Sequence, residues 1–431
     1  MTVRIFRPKF SLLITIGFVL LVSFNNQDAS THLPQFSIDV NTDDLNFGDY
    51  IDGEVTYTNA AGFVQHNASA IGIKYRGNAS AHYDKKSYSL KFDCETCLGD
   101  VMCHKKWKLN AEYIDKTFIR NKLSYDLFRS FSTQNLAPRI MFVTMNMNGS
   151  YQGIYALTER VDSDLLRLNK KDTGAVLFKQ PPISFPPEEH SKRHEEFVGF
   201  CGWADFYQGF SAKAKDKLIK ETYYNQRYPD IDKRDKKYLI HELTQYIFNS
   251  DDAEFLDYET FSKHFDLDNI IDWHILLLTT NNGDGLVKNF YLFKQETGQP
   301  FRFCPWDYDH TFGRDGDGEL NHQSFVDARR AALLKRLLDS NAFDYKRKLL
   351  NKFMQLKNRD ILTVKNIHRM IDTNAAILSP FVDENEQKWP PNAIAHFYDT
   401  DFKNEVLLMK KWIETRLPEV EGYLLELQQN K

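Results

Sequence analysis

The sequence predicts an α+β protein with a β-rich N-terminal part, residues 31–160, and a mainly helical C-terminal part, residues 161–431. Apolar and polar residues alternate at Phe36–Val40 and at Lys85–Phe92, as they do in half-buried strands. After residue 326 apolar residues recur at helical spacing instead. Hydrophobic residues make up 42% of the chain, which supports a substantial core, and the formal net charge of −4 argues against a nucleic-acid partner.

The first lysine-bearing strand follows a turn of small residues. A strand at Ile71–Tyr75 leads into the turn Arg76–Ser80, and Lys85–Phe92 is the next strand. Its apolar residues share one face, and Lys85 and Lys91 share the other. Such a turn and strand could cover and neutralise phosphate groups; the alternative is a plain hairpin with solvated lysines.

The rest of the N-terminal part continues with a helix and a second hairpin. Helical spacing predicts a helix over Asp115–Phe131. Apolar strands at Ile140–Met147 and Tyr151–Leu157 are joined by an Asn-Gly tight turn. The acidic Glu159 ends this hairpin, and a short helix is expected over Asp162–Leu168.

The C-terminal part begins with a variable insertion at about 181–230, rich in proline, charge and aromatic residues. It is either an insertion near a cleft that helps to choose the substrate or a surface loop. A helix is predicted over Leu267–Thr279. Further helices are predicted at 236–248 and 258–265 and, within the helical part 326–431, at 331–338, 343–356, 361–378 and 402–427.

The segment 281–313 carries the strongest chemical signal. Two aromatic-rich runs, Phe290–Phe293 and Phe301–Cys304, flank a Gly- and Pro-containing turn and predict a β-hairpin. Antiparallel strands return the chain to its start, so Asp307, after the second strand, is expected near Asn289, before the first. Converging oxygen side chains without a Cys/His cluster suit a hard cation such as Mg²⁺.

The spacing Asp284-x-x-x-x-Asn289 is that of a protein-kinase catalytic loop. In such a loop the Asp accepts the proton of the attacking hydroxyl and the Asn holds metal. Asp307 occupies the place of the second metal-binding Asp, although Phe-Gly does not follow it and His-Arg does not precede Asp284. The alternative is a solvated acidic turn with an N-capping Asp. The order of elements along the chain is that of a kinase N-lobe, hinge and C-lobe, which predicts a bilobal protein-kinase-like fold.

Residues 1–30 are predicted to be a signal peptide or a retained N-terminal anchor. Arg4, Arg7 and Lys9 precede an apolar run over residues 10–24, and a polar stretch follows. The remainder of the chain is therefore expected to be exported, as a secreted, periplasmic or cell-surface protein. Membrane attachment is expected only through residues 10–24.

Five cysteines are present, and Cys94, Cys97 and Cys103 lie close together in a polar segment. A disulfide among them suits an oxidising compartment, and a zinc site with His104 is the alternative. Asn67, Asn78 and Asn148 begin glycosylation sequons, which matter only if the source organism glycosylates.

Taken together, these motifs resemble the CotH spore-coat kinase family, an atypical kinase group whose members are secreted or surface-associated. The resemblance covers roughly residues 35–420 and rests on six motifs: Tyr75–Ser80, Lys85–Tyr88, Asp115 with Arg120-Asn121, Gly153–Arg160, Asn282–Asp284 with Asn289, and Pro305–Asp309. It implies phosphorylation of protein Ser or Thr with ATP and Mg²⁺ (or Mn²⁺). It also implies that Asp284 is the catalytic Asp and that Asp307 binds metal. Lys85 or Lys86 would match the family lysine, and Glu159 its acidic residue.

The expected mechanism gives each residue one task. Asn289 and Asp307, with Asp309, hold Mg²⁺ on the phosphates, while Asp284 deprotonates the substrate hydroxyl. Arg76 and a lysine chosen from 85, 86 and 91 offset phosphate charge, and Glu159 completes the ATP-binding set. A Gly-x-Gly-x-x-Gly loop is missing, and the helix after Asp115 carries no Glu to pair with the lysine.

Two other functions remain open at the level of sequence. A surface adhesin or coat protein could use the same fold without chemistry, and ATP would then not stabilise it. A glycosyltransferase could bind Mn²⁺ and a nucleotide sugar through Asp307-x-Asp309, but this does not explain Asp284-x-x-x-x-Asn289.

Overall fold

The computed structural model describes residues 32–77, 79–99, 102–181, 183–184, 226–314, 325–390 and 400–429. The predicted export segment 1–30, the sequon residue Asn78, Cys201 and most of the predicted insertion 181–230 lie outside these residues. Strands dominate the described chain up to Glu159, and helices dominate it from Lys237 onward. The predicted α+β class is therefore confirmed.

Seven strands of the N-terminal part form a closed barrel in the order β1-β2-β3-β4-β5-β7-β6. All neighbours are antiparallel except β1 and β6, whose parallel pairing closes the barrel. The strands are β1 (Gln35–Val40), β2 (Ile51–Thr58), β3 (Val64–Arg76), β4 (Ser87–Leu98), β5 (Met102–Asn110), β6 (Ile140–Met147) and β7 (Ser150–Glu159). Their inward side chains, including Tyr57, Leu90 and Trp107, form a core separate from that of the helical part.

The lysine-bearing strand differs from its prediction at its start. It begins at Ser87 rather than at Lys85, and Tyr88, Leu90 and Phe92 are buried on one face as expected. Lys91 is exposed, but Lys85 precedes the strand and is only 1% exposed. The expectation that Lys85 shares a solvent face with Lys91 is wrong, because groups from other elements enclose its ammonium.

Helix α1 (Arg120–Phe131) connects β5 to β6 and begins later than predicted. The carboxylate of Asp115 accepts hydrogen bonds from the backbone N–H groups of Thr117 and Arg120, both at 3.0 Å. Asp115 therefore organises the turn before the helix instead of starting it. The predicted short helix over Asp162–Leu168 is wrong, since turns replace it and Arg167 takes a positive φ of 54°.

A second sheet carries the predicted hairpin. Its strands are β8 (Val176–Lys179), β9 (Gln226–Tyr228), β10 (Phe290–Lys294) and β11 (Arg302–Pro305), in the order β11-β10-β8-β9. In the hairpin, Phe290 pairs with Pro305, so the ends of the two strands lie side by side. The predicted hairpin is confirmed.

Most of the remaining described chain is helical. Its helices are α2 (Lys237–Asn249), α3 (Asp252–Phe255), α4 (Tyr258–His264), α5 (Leu267–Thr280), α6 (Ala332–Asp339), α7 (Tyr345–Asn358), α8 (Val364–Lys388) and α9 (Phe402–Gln429). Among these, α5 is buried along almost its whole length, because apolar residues occupy nearly every face. Asp266 caps its start, and Asn281, in the left-handed conformation, ends it just before the predicted catalytic loop.

Within the described residues, every helix is too short or too polar to cross a bilayer. Cys97 and Cys103 form a disulfide, which confirms the predicted pairing within the cysteine cluster. Cys94 is exposed and Cys304 is buried, and both are reduced.

Candidate functional site

The loop after α5 is held rigidly by buried groups. Asn282 is 1% exposed, and its Oδ1 accepts a hydrogen bond from the Gly285 N–H at 2.8 Å. A Cβ atom at Gly285 would lie 2.5 Å from the side chain of Leu277, so only glycine allows this close approach. The loop therefore presents Asp284 at a fixed place, where its carboxylate lies 3.0 Å from the Lys288 ammonium and remains partly exposed.

The hairpin brings Asp307 back beside Asn289, as the sequence predicts. The Asn289 side-chain amide donates to the Asp307 carbonyl at 2.8 Å, and its backbone N–H donates to the Asp284 carbonyl at 3.0 Å. Asp307 takes a positive φ of 63°, and its own N–H donates to the hydroxyl of Tyr125 on α1 at 2.9 Å. Asn289 thus links the two aspartates, with its Oδ1 as the atom it offers to a cation.

Four carboxyl groups, which we call the acidic group, affect one another here through their charges: Glu112, Asp115, Asp307 and Asp309. Burial raises the pKa of Glu112 to about 8, and the charges of the other three carboxylates raise it as well. Burial also raises the pKa of Asp309 to about 6; His310 opposes this shift, while Asp307 and Asp115 add to it. Carboxylates that repel each other in this way are stabilised by protons or by a cation. Their oxygen atoms fit Mg²⁺ or Mn²⁺.

Asp284 differs from the acidic group in its partner. Its carboxylate pairs with the Lys288 ammonium and is partly exposed, which suits a residue that acts on a substrate.

A basic group lies on the other side of Asp307 and consists of Arg76, Lys108, Arg160 and Lys179. Burial lowers the pKa of Lys108 well below its usual value, and the other three cations lower it further. Burial likewise lowers the pKa of Lys179 to about 8, while the Asp307 carboxylate raises it. Cations crowded in this way are stabilised by a bound anion. The charges of Arg76 and Asp307 both act on Lys179, so the basic and acidic groups are neighbours.

The turn predicted to cover phosphates lies against the acidic group. Gly77 has a φ of 143°, and a Cβ there would lie 2.7 Å from Ser80 Oγ, so the tight turn requires glycine. Burial raises the pKa of Tyr83, and the charges of Asp309 and Asp307 add to this shift. The ammonium of Lys86 donates to the carbonyls of Ala81 and Tyr83 at 2.8 and 2.6 Å, so Lys86 holds the turn together.

Lys85 is placed differently from its expected position on a phosphate. Its ammonium donates to the carbonyls of Ala111 and Ile154, at 3.0 and 2.5 Å, and to Asn385 Oδ1 at 2.9 Å. Burial lowers the pKa of Lys85 to about 7, and the Glu112 carboxylate raises it. The three acceptors match the three donors of a protonated amine, so Lys85 ties the barrel to α8.

Glu159 and Arg76 also differ in their availability. Both oxygens of Glu159 accept hydrogen bonds from Arg139, at 2.8 Å from the backbone N–H, 3.1 Å from Nε and 2.6 Å from Nη2. Arg76 belongs to the basic group, donates to Asn110 Oδ1, and lies 5.8 Å from the ring of Trp306, the residue before Asp307. The structure therefore brings Arg76 to the acidic group but engages Glu159 elsewhere.

Sequence reasoning missed Glu112, Lys108, Arg160 and Lys179. The alternation around Trp107 would have placed Lys108 on the face opposite two core residues, which is a usable signal. Asp115 is three residues from Glu112, but the other two members of the acidic group, Asp307 and Asp309, are distant in sequence, so no local motif contains Glu112 together with them.

A second cluster, formed by His104, Asp162 and Asp164, has ligand atoms within 4.8 Å of one another. His104 Nδ1 accepts the backbone N–H of Lys106 at 3.1 Å, so the proton lies on Nε2, which is 3.2 Å from Asp162 Oδ1. Asp164 pairs with Lys170. We interpret this cluster as ion pairs rather than as a metal site, because a metal needs the unprotonated nitrogen.

Known proteins are similar in sequence to this chain over the region that contains this arrangement. A family model described as CotH kinase protein matches residues 73–420, which include every residue of the acidic and basic groups. The chain is also 31% identical over 317 residues to the inner spore coat protein H of Bacillus subtilis (strain 168). That alignment covers 72% of this chain and 77% of the relative.

Proposed function

Because the chain belongs to the CotH kinase protein family, we propose that it is an atypical kinase that transfers phosphate from ATP to serine or threonine hydroxyls of a protein. The same proposal includes a bilobal kinase-like fold, with the barrel as the N-lobe and the helical part as the C-lobe. A relative is named as a spore coat protein, and we extend this to an exported protein of a coat or cell surface.

The observation that carries the proposal is that the basic group lies next to the turn that carries Asp307. The Arg76 guanidinium is 5.8 Å from the ring of Trp306, the residue before Asp307, and the charges of Arg76 and Asp307 both act on Lys179. A nucleoside triphosphate with its metal needs both kinds of group: carboxylates for the cation, and arginines or lysines for the phosphates.

The residues divide the work of the reaction by position. Asp307 and Asp309, with Asn289 Oδ1, would hold Mg²⁺, which when bound supplies positive charge to the phosphates. Arg76, Lys108 and Lys179 would bind phosphate oxygens directly.

Asp284 would accept the proton of the acceptor hydroxyl. Its carboxylate is partly exposed, so a substrate hydroxyl can reach it, and the Lys288 ammonium lies 3.0 Å away. The Asn289 backbone, which bonds to the Asp284 carbonyl, sets the position of this base relative to the metal ligands.

The remaining predicted ATP ligands would act as supports. Lys86 would hold the turn Gly77–Tyr83 over the phosphates, and Lys85 would hold the barrel against α8. Glu159 would fix Arg139 at the end of the hairpin. These tasks follow from the hydrogen bonds of the three residues. Lys85 and Lys86 donate to backbone carbonyls and Glu159 accepts from Arg139, so none of these hydrogen bonds involves the basic group.

The test is transfer of labelled phosphate from ATP by the full chain, with Mg²⁺ or Mn²⁺ and a Ser/Thr-rich protein acceptor. Asp307→Ala and Asp284→Asn should each lower the rate by at least about 100-fold. Asp372→Asn, which removes an exposed partner of Lys410, is the matched control and should transfer like the parent. Either active-site variant transferring at the parental rate would show that the assignment is wrong.

A non-catalytic coat protein is the second candidate, because the relative's name describes a structural component. The melting temperature measured with ATP and Mg²⁺ distinguishes a kinase from a non-catalytic coat protein. A kinase is stabilised by mass action, whereas a coat protein without a nucleotide site melts at an unchanged temperature.

A further inference from the structure

Glu112 carries a buried oxygen without a partner. The residue is 7% exposed, and its Oε2 accepts a hydrogen bond from the Asn121 side-chain amide at 3.0 Å. Its Oε1 is buried and has no hydrogen-bond partner among the described residues. Glu112 also takes a positive φ of 47°, which is uncommon for a residue other than glycine. An orphaned oxygen and a strained backbone at one residue are features that occur at functional sites.

Asn121 connects Glu112 to the turn that carries the predicted metal ligands. While its amide nitrogen donates to Glu112, its Oδ1 accepts the backbone N–H of Tyr308 at 2.7 Å and the hydroxyl of Tyr125 at 3.2 Å. Tyr308 lies between Asp307 and Asp309 in the chain. The carboxylate of Glu112 is therefore held at a fixed position next to that turn, one side chain away.

The charged side chains around Glu112 leave its Oε1 without a hydrogen bond in the described part of the chain. The Lys85 ammonium lines a small cavity together with Glu112, but its three hydrogen bonds go to other acceptors. A buried carboxylate oxygen without a partner is costly, and a bound cation would remove that cost.

We propose that Glu112 Oε1 is a ligand of a divalent cation, Mg²⁺ or Mn²⁺, that it shares with Asp309. The inference deepens the proposed function, on which it rests for the identity of the acidic group as a metal site. It adds a ligand from the segment between β5 and α1 to those supplied by the hairpin. The cation would then join the barrel side of the site to the helical side.

The experiment measures Mn²⁺ binding to the full chain without nucleotide, by calorimetry and by the electron paramagnetic resonance signal of free Mn²⁺. Glu112→Gln keeps the hydrogen bond with Asn121 but removes the charge, and it should raise the Kd by at least about 10-fold. Glu112→Asp keeps the charge on a shorter side chain, and its Kd for Mn²⁺ should lie between those of the parent and Glu112→Gln. Glu386→Gln, which changes another carboxylate lining the cavity that Glu112 lines, should bind like the parent.

Melting curves without metal provide a second measurement. Glu112→Gln should melt no lower than the parent, because an amide of the same size replaces a buried carboxyl group whose Oε1 has no partner, and it should lose the rise in melting temperature that Mn²⁺ gives the parent. A Glu112→Gln or Glu112→Asp variant that binds Mn²⁺ with the parental Kd overturns the inference, as does a parent that binds no Mn²⁺.

Failure of the inference and failure of the proposed function are distinguishable. Phosphate transfer by the parent, combined with unchanged Mn²⁺ binding in Glu112→Gln, overturns only the role of Glu112. Loss of Mn²⁺ binding in that variant, combined with no transfer by the parent, overturns only the kinase.

Discussion

Glu405→Gln should destabilise the protein strongly, because Glu405 is the shared partner of two buried arginines. Its Oε2 accepts hydrogen bonds from Arg120 at 3.0 Å and from Arg314 at 3.1 Å, and its Oε1 pairs with Arg314. The Glu405 and Arg120 side chains are each 1% exposed. Arg120 also donates to the carbonyl of Thr311, so this network holds the chain just after Asp309.

The magnitude follows from what the substitution leaves behind. Glutamine keeps the volume of Glu405, so no cavity forms, but it removes the charge opposite Arg314 and one of two charges opposite Arg120. Removing one partner of a buried ion pair costs about 3–5 kcal/mol. Because Arg120 keeps Asp115, we expect the lower value, about 3 kcal/mol. At about 2 °C per kcal/mol for a large domain, the melting temperature should fall by about 6 °C.

The assay is urea unfolding of parent and variant at neutral pH, with Glu421→Gln as the matched control on the same helix. Glu421 lies 2.5 Å from Lys357 in a pair that is 27% and 42% exposed, so its loss should cost no more than about 1 kcal/mol. If Glu405→Gln loses no more stability than this control, the network does not hold the two parts of the chain together.

Acid provides a second signature of the same network. Burial alone would raise the pKa of Glu405, but the hydrogen bond of Arg314 and the charges of Arg120 and Arg314 lower it overall. A carboxyl group with a depressed pKa in the folded state contributes stability above its unfolded pKa, about 4.3. That contribution disappears as the pH falls through the folded pKa. The difference between parent and Glu405→Gln should therefore be full at pH 7 and shrink below pH 4.

Three other predictions follow from single contacts. In Gly153→Ala the new Cβ, at a φ of 94°, would lie 2.3 Å from Asn385 Oδ1. Urea unfolding should therefore show that the free energy of unfolding falls by about 2–3 kcal/mol. A fall of less than about 1 kcal/mol would contradict the tight packing at Gly153. Burial lowers the pKa of His274 to about 3, so the free energy of unfolding of the parent should fall by up to about 1.4 kcal/mol per pH unit below pH 6.5. Unfolding measured at pH 7 and pH 4 should show that His274→Leu lacks this dependence. Lys108→Met removes a cation crowded by Arg76, so without ATP it should melt no lower than the parent. It should also lose the rise in melting temperature that ATP gives the parent. An unchanged rise would show that Lys108 does not bind phosphate.

The parts of the site that could be predicted are those determined by neighbours in sequence. The hairpin between Asn289 and Asp307 follows from two short apolar runs and a turn, and antiparallel pairing alone returns Asp307 to Asn289. The burial of Tyr88, Leu90 and Phe92 on one face follows from the pleat of one strand. Such features need no knowledge of distant contacts.

Lys85 shows why the rest could not be predicted. Its three hydrogen-bond acceptors lie 26, 69 and 300 residues away in sequence, just after β5, in β7 and in α8. A local pattern assigns the lysine to a solvent-facing strand position, because charged side chains usually remain in water. Only the closed barrel and α8, packed together, supply the carbonyls and the Asn385 amide that allow the ammonium to be buried.

Sequence separation also explains why the two proposed cation ligands were predicted together, whereas only Arg76 of the basic group was predicted. Asp307 and Asp309 are two residues apart, so one motif contains them both. Arg76 and Lys108 come from β3 and β5, which β4 separates in the barrel, and Lys179 comes from β8 in the second sheet. A cation site can be built from one turn, whereas a triphosphate spans several strands. The basic group therefore becomes visible only when the barrel and the second sheet are placed side by side.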